Sequence, residues 1–175
     1  MKIRHDGKDF IYDCLLGKGG CGVVCKYIEP VSKKKIAVKF ETLTGRQVSM
    51  SPLTAEEMNM NNLWKRNPKL KHVPRFLGHH ILPQDYLKFE YLETGLEAYL
   101  KQKLERARDK KILVDVSLQM LEALKEMHLL NYVHRDVKTE NFMVDKDVVK
   151  IIDFGLTYEF LKNGVHTVHQ SIHGF

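Results

Sequence analysis

Two clusters of residues in this 175-residue sequence have the types and spacing that chemistry needs. The first begins with glycines: Gly17-Lys18-Gly19-Gly20-Cys21-Gly22-Val23-Val24 contains the pattern G-x-G-x-x-G-x-V. A dinucleotide-binding version of this pattern would open a helix after its last glycine. Here β-branched residues follow, so the glycines belong to the tip of a hairpin. A tip without side chains lets backbone amides approach phosphate oxygens; a merely flexible turn would use the same glycines. Seventeen residues after Gly22 stands Lys39, ending the apolar run Ile36-Ala37-Val38. Its stem is buried along that run, so its ammonium needs a partner. Phosphate oxygens and a helix carboxylate would supply one. Glu56 and Glu57 both lie on the next helical segment. Glu56 is preferred, because Leu53, Met60 and Leu63 then share its inward face; Glu57 is the alternative.

The second cluster is His134-Arg135-Asp136-Val137-Lys138-Thr139-Glu140-Asn141, followed by Asp153-Phe154-Gly155. Eight residues specified at these offsets match by chance on the order of 10⁻¹⁰ at a given start. The pair strongly resembles the protein-kinase catalytic loop H-R-D-x-K-x-x-N and the magnesium-binding D-F-G. With the glycine loop and Lys39 upstream in order, the resemblance covers essentially the whole chain.

That resemblance implies an ATP- and Mg²⁺-dependent transfer of phosphate to protein Ser/Thr hydroxyls, with a role for each matching residue. Asp136 would accept the proton of the substrate hydroxyl, and Lys138 would contact the γ-phosphate. Asn141 and Asp153 would hold Mg²⁺. Lys39, paired with Glu56, would hold the α- and β-phosphates, and Gly17, Lys18, Gly19 and Gly22 would form the loop over them. Around adenine the resemblance places Leu16, Val24 and Ala37 as a roof, Met143 as a floor and Ile152 as a rear wall. The backbone of Glu90 and Leu92 would bond the adenine edge, with Phe89 behind it as gatekeeper. The apolar members of this set would equally serve as plain core. The implied partner is a protein substrate, acidic or already phosphorylated, and no nucleic acid or membrane. A non-catalytic ATP-binding pseudokinase or scaffold is the alternative; the intact Lys39, Asp136, Asn141 and Asp153 argue against it.

Within the kinases, Leu92-Glu93-Thr94-Gly95-Leu96-Glu97, Asn141-Phe142-Met143 and Ile151-Ile152-Asp153-Phe154-Gly155-Leu156 resemble the casein kinase 1 family and its tau-tubulin and vaccinia-related kinase relatives. So does Pro52-Leu53-Thr54-Ala55-Glu56, which is similar to the vaccinia-related helix entry. Cys21 stands where an aromatic often caps the glycine loop, and Thr139 where proline is usual. No Ala-Pro-Glu follows Gly155 within the 175 residues, so the resemblance implies a kinase domain that stops inside its activation segment. The expected fold is α+β and two-lobed: residues 1–92 as a β-rich N-lobe with its hinge, residues 93–175 as part of a helical C-lobe.

The elements that must position these residues follow from periodicity. Phe10–Leu16 and Val23–Ile28 read as a hairpin, and Ile36–Phe40 as a third strand. Pro52–Arg66 is helical, with Ser51 as its N-cap. Arg75–Leu82 and Tyr86–Glu90 are strands joined at Pro83-Gln84-Asp85. Leu96–Arg106 and Lys111–Leu130 are helices. The second carries Ile112, Val116, Met120, Leu121, Leu124 and Met127 as its apolar face. Phe142–Val144 and Val148–Ile152 are short strands.

Composition narrows the class. The chain is 43% hydrophobic and 29% charged, with a formal charge of +6, an ordinary balance for a water-soluble domain. No run approaches the ~18 apolar residues of a membrane span. The start Met1-Lys2-Ile3-Arg4-His5-Asp6 lacks a signal-peptide core, so the expected location is cytoplasmic or nuclear. The basic residues are scattered, without the interleaved aromatics of a single-strand binder, and Lys33-Lys34-Lys35 reads as a solvated turn. Cys14, Cys21 and Cys25 fit no zinc spacing and read as small buried hydrophobes, although Cys14 and Cys25 could face each other across the hairpin. His166, His169 and His173 read as exposed loop residues in preference to metal ligands, and the pair His79-His80 shows no partner in the sequence. Thr157, Thr167 and Ser171 are hydroxyls in the region where kinases are phosphorylated.

Overall fold

A computed structural model describes residues 1–19, 22–41, 52–81, 85–107 and 110–167. Its first part is one antiparallel sheet of six strands. In chain order these are β1 (Lys2–His5), β2 (Lys8–Gly19), β3 (Gly22–Ile28), β4 (Lys35–Phe40), β5 (Phe76–His80) and β6 (Tyr86–Glu90), arranged β1-β2-β3-β4-β6-β5. Between β4 and β5 runs α1 (Pro52–Arg66). The two-residue period of β4 divides its side chains. Ile36, Val38 and Phe40 join Phe10, Cys25, Tyr27 and Tyr86 in a hydrophobic cluster on one face. Ala37 and Lys39 point to the other face, where Lys39 lies opposite Val24 on β3 and Leu87 on β6. One strand thus serves both core and site.

The second part is mostly helical: β7 (Thr94–Gly95), α2 (Leu96–Ala107), α3 (Lys111–Leu129), β8 (Tyr132–Val133), β9 (Phe142–Asp145) and β10 (Val148–Ile151), then β11 (Tyr158–Glu159), β12 (Leu161–Lys162) and β13 (Val165–His166). The β9–β10 hairpin turns on Lys146 and Asp147, both at positive φ (50° and 63°), as a tight two-residue hairpin demands. β7 pairs with β9, Thr94 opposite Val144. A second cluster holds Val116, Ala123 and Met127 of α3 with Phe142, Val144, Val149, Ile151 and Phe154, and it also takes in Met60 and Leu63 of α1. α1 therefore ties the sheet to the helical part through shared core. The whole is α+β.

Several expectations need correction. β1 was not anticipated. β2 runs past its expected ends at both termini. Leu121, expected on the inward face of α3, is 62% exposed, and Leu113, Val114 and Leu118 share that outer surface. Cys14 and Cys25 are free thiols as expected, out of register because Cys25 pairs with Leu15; Cys25 is buried, but Cys14 is only partly so. His79 and His80 do have partners: His79 Nδ1 lies 2.7 Å from Glu57 Oε2, and His80 stacks on the Tyr86 ring. Lys33 and Lys34 are exposed as expected, while the Lys35 ammonium bonds Glu93 at 2.8 Å. Thr157 is buried, and the Thr167 hydroxyl donates to the Glu159 carbonyl at 2.6 Å. His166 is exposed. Gly20, Cys21, Ser51, Pro83, Gln84, His169, Ser171 and His173 lie outside the described residues. Among the described residues no helix is long and apolar enough to cross a membrane.

Candidate active site

The glycine hairpin closes with Gly19 opposite Gly22 and Gly17 opposite Val24. Gly22 is a steric necessity. Its φ is +146°, and a Cβ there would sit 2.1 Å from the Phe40 carbonyl oxygen, so no L-residue side chain fits. At Gly17 and Gly19 a side chain would stand in open space, so the lack of one leaves the face of the hairpin tip smooth. Lys18 between them is exposed.

Beneath this hairpin, Lys39 Nζ donates to Glu56 Oε2 at 2.6 Å and to Asp153 Oδ1 at 2.9 Å. The open choice between carboxylates is resolved: Glu56 is 2% exposed and on the lysine, while Glu57 turns to His79. Leu53, Met60 and Leu63, the residues that pointed to Glu56, are all buried. The other Glu56 oxygen, Oε1, accepts the Phe154 backbone N–H at 3.3 Å. Burial pulls the Lys39 ammonium toward its neutral form, but the charges of Glu56 and Asp153 outweigh it and hold its pKa above the ordinary lysine value. Burial pushes the Glu56 carboxyl up, against the attraction of Lys39. One cation shared by two carboxylates leaves this trio with a negative excess.

Asp136 lies in the segment after β8. Its Oδ2 accepts Lys138 Nζ at 2.8 Å and Asn141 Nδ2 at 2.8 Å, and the same Asn141 amide donates to the Asp136 carbonyl at 2.8 Å. The Lys138 hydrogen bond, with that of Asn141, holds the Asp136 carboxyl below its ordinary range against the effect of partial burial. A single 3₁₀ turn, Thr139–Asn141, then delivers the chain to β9. The two motifs are strapped together at Ile152, whose N–H donates to the Asn141 carbonyl at 2.8 Å. Its own carbonyl lies 3.0 Å from His134 Nε2. His134 is buried, edge-on to Phe154, and burial lowers its pKa. It is a buried strut. Arg135 and Asp153 both adopt left-handed φ, 67° and 66°, conformations costing non-glycine residues about 1–3 kcal/mol that cluster at functional sites.

The expected adenine-lining residues form a half-open set. Val24, Ala37, Met143 and Ile152 are partly buried and Leu16 is 42% exposed. Phe89 lies opposite Ala37 in the sheet, with its ring against Phe76. The Glu90 N–H donates to the Arg75 carbonyl at 3.0 Å, and its carboxylate is engaged by Lys150 and by the Arg75 amide. Leu92 is buried, 4% exposed. Sequence reasoning missed Asn59. Its amide donates to the Phe154 and Thr157 carbonyls, each at 3.0 Å, pinning the Asp153 segment to α1. A polar residue three positions after Glu56, on the same helix face, was the available signal.

The family description "Protein kinase domain" matches residues 10–173. The chain belongs to the protein kinase domain family. It is 31% identical over 152 residues to "Extracellular signal-regulated kinase 2" of Dictyostelium discoideum, covering 81% of this chain and 38% of that protein. It is 33% identical over 153 residues to "Cyclin-dependent kinase F-4" of Oryza sativa subsp. japonica, covering 82% and 30%. To "Probable serine/threonine-protein kinase FPV226" of Fowlpox virus (strain NVSL) it is 29% identical over 169 residues, covering 91% and 58%. The chain thus spans less than two thirds of each of these proteins. Their names are those of an extracellular signal-regulated kinase, a cyclin-dependent kinase and a viral serine/threonine kinase, so the expected casein kinase 1 affiliation finds no support in them.

Kinase domains generally use ATP with Mg²⁺, and the residues present fit that pair. Among the described residues no three His, Cys, Asp or Glu side chains gather as a metal cluster of their own. The kinase instead offers the Asp153 carboxylate and the Asn141 amide oxygen, left free because its Nδ2 is spent on Asp136. Mg²⁺ is usually bound by one or two carboxylates plus phosphate oxygens and water, and the negative excess of the trio favours a cation beside it. Bound Mg²⁺·ATP supplies the phosphoryl group and neutralises charge that develops on it.

Proposed function

We propose that this chain carries the ATP-binding and phosphoryl-transfer site of a protein serine/threonine kinase. The observation that carries the reading is the joint assembly of Lys39–Glu56–Asp153 and Lys138–Asp136–Asn141 on one strapped scaffold. Lys39 holds the α- and β-phosphates, and Asp153 and Asn141 hold Mg²⁺. Asp136 orients the substrate hydroxyl and takes its proton, and Lys138 moves between Asp136 and the γ-phosphate. Gly17, Lys18, Gly19 and Gly22 cover the phosphates. Leu16, Val24, Ala37, Met143 and Ile152 enclose adenine, with the backbone of Glu90 and Leu92 at its edge. Such a site works by positioning and charge neutralisation, since the loose transition state asks for little covalent chemistry. The chain's residues 1–92 act as N-lobe and hinge and residues 93–175 as part of the C-lobe, and the substrate is a protein hydroxyl.

The test is a melting scan with ATP and Mg²⁺, followed by transfer of labelled phosphate to casein and to myelin basic protein. Stabilisation with transfer is the expected result. Stabilisation without transfer, in the chain and in a version extended through an Ala-Pro-Glu region, would favour a nucleotide-binding scaffold. No stabilisation at millimolar ATP would end the proposal.

A further inference from the structure

A cavity of about 760 Å³ lies where the end of α1, the start of β5 and the β9–β10 hairpin meet. None of Lys39, Asp136 or Asp153 lines it, so it is separate from the phosphoryl-transfer site. Its apolar lining is Trp64, Pro68, Leu70, Phe76 and Val148. This lining is held in place: the Trp64 indole N–H donates to the Pro74 carbonyl at 2.9 Å, and Phe76 packs on Phe89 with centroids 5.6 Å apart. The volume is within the range of ligand-binding clefts.

Charge surrounds this apolar floor. Lys69, Lys71, Arg75 and Lys146 line the cavity and are all exposed. None of their side chains has an ion-pair partner among the described residues, unlike Lys150 in the same wall, which is neutralised by Glu90. Asp145 is the one carboxylate in the lining. Five cations against Asp145 and Glu90 leave a clear positive excess around a greasy base.

We propose that this cavity docks an acidic protein segment bearing a large apolar side chain. The apolar side chain rests on Trp64 and Phe76, and the flanking carboxylates pair with Lys69, Lys71, Arg75 and Lys146. A compact anion would gain nothing from the apolar floor. A nucleic acid would need a cationic track running beyond the cavity. Here the track is broken by Glu126, which accepts the Lys71 and His72 amides, and by Glu122 beside the His72 ring. Apolar anchors with a charged rim are the usual division of labour in peptide docking, the anchor giving affinity and the rim giving selectivity and salt dependence.

Trp64 is the only tryptophan of the chain, so its emission reports this cavity alone. The chain is titrated with the acetylated peptide EEDFEE, and with EEDAEE, KKRFKK and short oligodeoxythymidine as comparators. EEDFEE should change Trp64 emission saturably, weaken as salt is raised, and bind about tenfold more tightly than EEDAEE, as loss of one buried aromatic side chain requires at minimum. Lys71→Glu/Arg75→Glu should weaken EEDFEE by about tenfold or more while leaving Mg²⁺·ATP binding unchanged. If circular dichroism shows that this variant misfolds, Lys69→Glu/Lys146→Glu makes the same test from the other rim. Equal binding of EEDFEE and KKRFKK, indifference to charge reversal, tighter binding of the oligonucleotide, or no change in Trp64 emission would each overturn the proposal. Because the readout is local to Trp64, these results stand whatever the outcome of the phosphate-transfer assay.

Discussion

Two lysine–carboxylate groups flank the same cleft, with nearly the same bond lengths and opposite surroundings. Lys39 meets Glu56 at 2.6 Å with side chains 9% and 3% exposed; Lys138 meets Asp136 at 2.8 Å with side chains 48% and 28% exposed. Distance does not separate them; water does. In the dry pair each charge has lost its hydration and depends on its partner, so removing one strands the other. In the wet pair either charge returns to solvent, and salt screens what attraction remains. The buried group is therefore architecture as well as chemistry. It joins β4, α1 and the Asp153 segment, whereas the exposed group can exchange its partner for water.

The strongest way to break this comparison is to remove Lys39. Lys39→Met should destabilise the fold by about 3–5 kcal/mol, the cost of an uncompensated buried charge, out of a typical total of ~5–15 kcal/mol. Urea unfolding measures it. Lys39→Met/Glu56→Gln, which removes both charges, should recover much of the loss, and the double-mutant cycle gives the coupling directly. Strict additivity would show that the pair is no tighter coupled than a surface one.

Asp136→Asn sharpens the contrast from the other side. It keeps shape and removes the proposed base, so turnover should fall by roughly 10²–10⁴ while the melting transition and ATP affinity barely move. Equal loss of turnover and ATP affinity would reassign Asp136 to nucleotide binding. Asp153→Ala comes next in size. Ligand at a hundredfold excess over Kd stabilises by about 2.7 kcal/mol, and this variant should lose most of that shift with Mg²⁺·ATP. The ligand-free protein should be affected far less than by Lys39→Met, since Lys39 still has Glu56. Retention of the full shift would mean that Asp153 is not the cation ligand.

The parts of the site that were legible in sequence are those whose geometry is fixed by short covalent spacing. Asn141 and Asp153 are separated by one hairpin, so the closeness of their backbones, closed by the Ile152 amide on the Asn141 carbonyl, is built into β9 and β10. Pro52–Arg66 and Tyr86–Glu90 appear with the bounds their patterns implied, and the helical offsets of Leu53, Met60 and Leu63 selected Glu56 over its neighbour. What stayed hidden depends on partners far away in the chain. Asn59 looks like any polar helix residue until the Phe154 and Thr157 carbonyls arrive opposite it. β1 is four residues, exposed Lys2 and Arg4 alternating with buried Ile3 and His5, too short a pattern to read until its register with β2 is in place. Leu121 sits beside Met120 in a stripe broader than the surface α3 covers, and apolarity alone could not say which edge stays outside.

The smallest expected effect belongs to Lys138. Its hydrogen bond is the largest influence holding the Asp136 carboxyl below the ordinary carboxylate range, with Asn141 contributing after partial burial has opposed both. A depressed folded-state pKa contributes stability that is present above the unfolded value and lost as pH falls through the folded one. That contribution is heavily screened here, because nearly half of the Lys138 side chain is in water. Lys138→Ala should leave the urea midpoint at pH 7 unchanged. The Asp136 carboxyl, followed by carbon-detected NMR titration, should move up toward the ordinary carboxylate range without reaching it, because the Asn141 amide remains. Raising ionic strength in the parent protein should move it in the same direction, and should do nothing comparable to the buried Lys39–Glu56 pair. A midpoint that drops as far as in Lys39→Met, or an Asp136 titration indifferent to both the substitution and salt, would erase the distinction between the wet pair and the dry one.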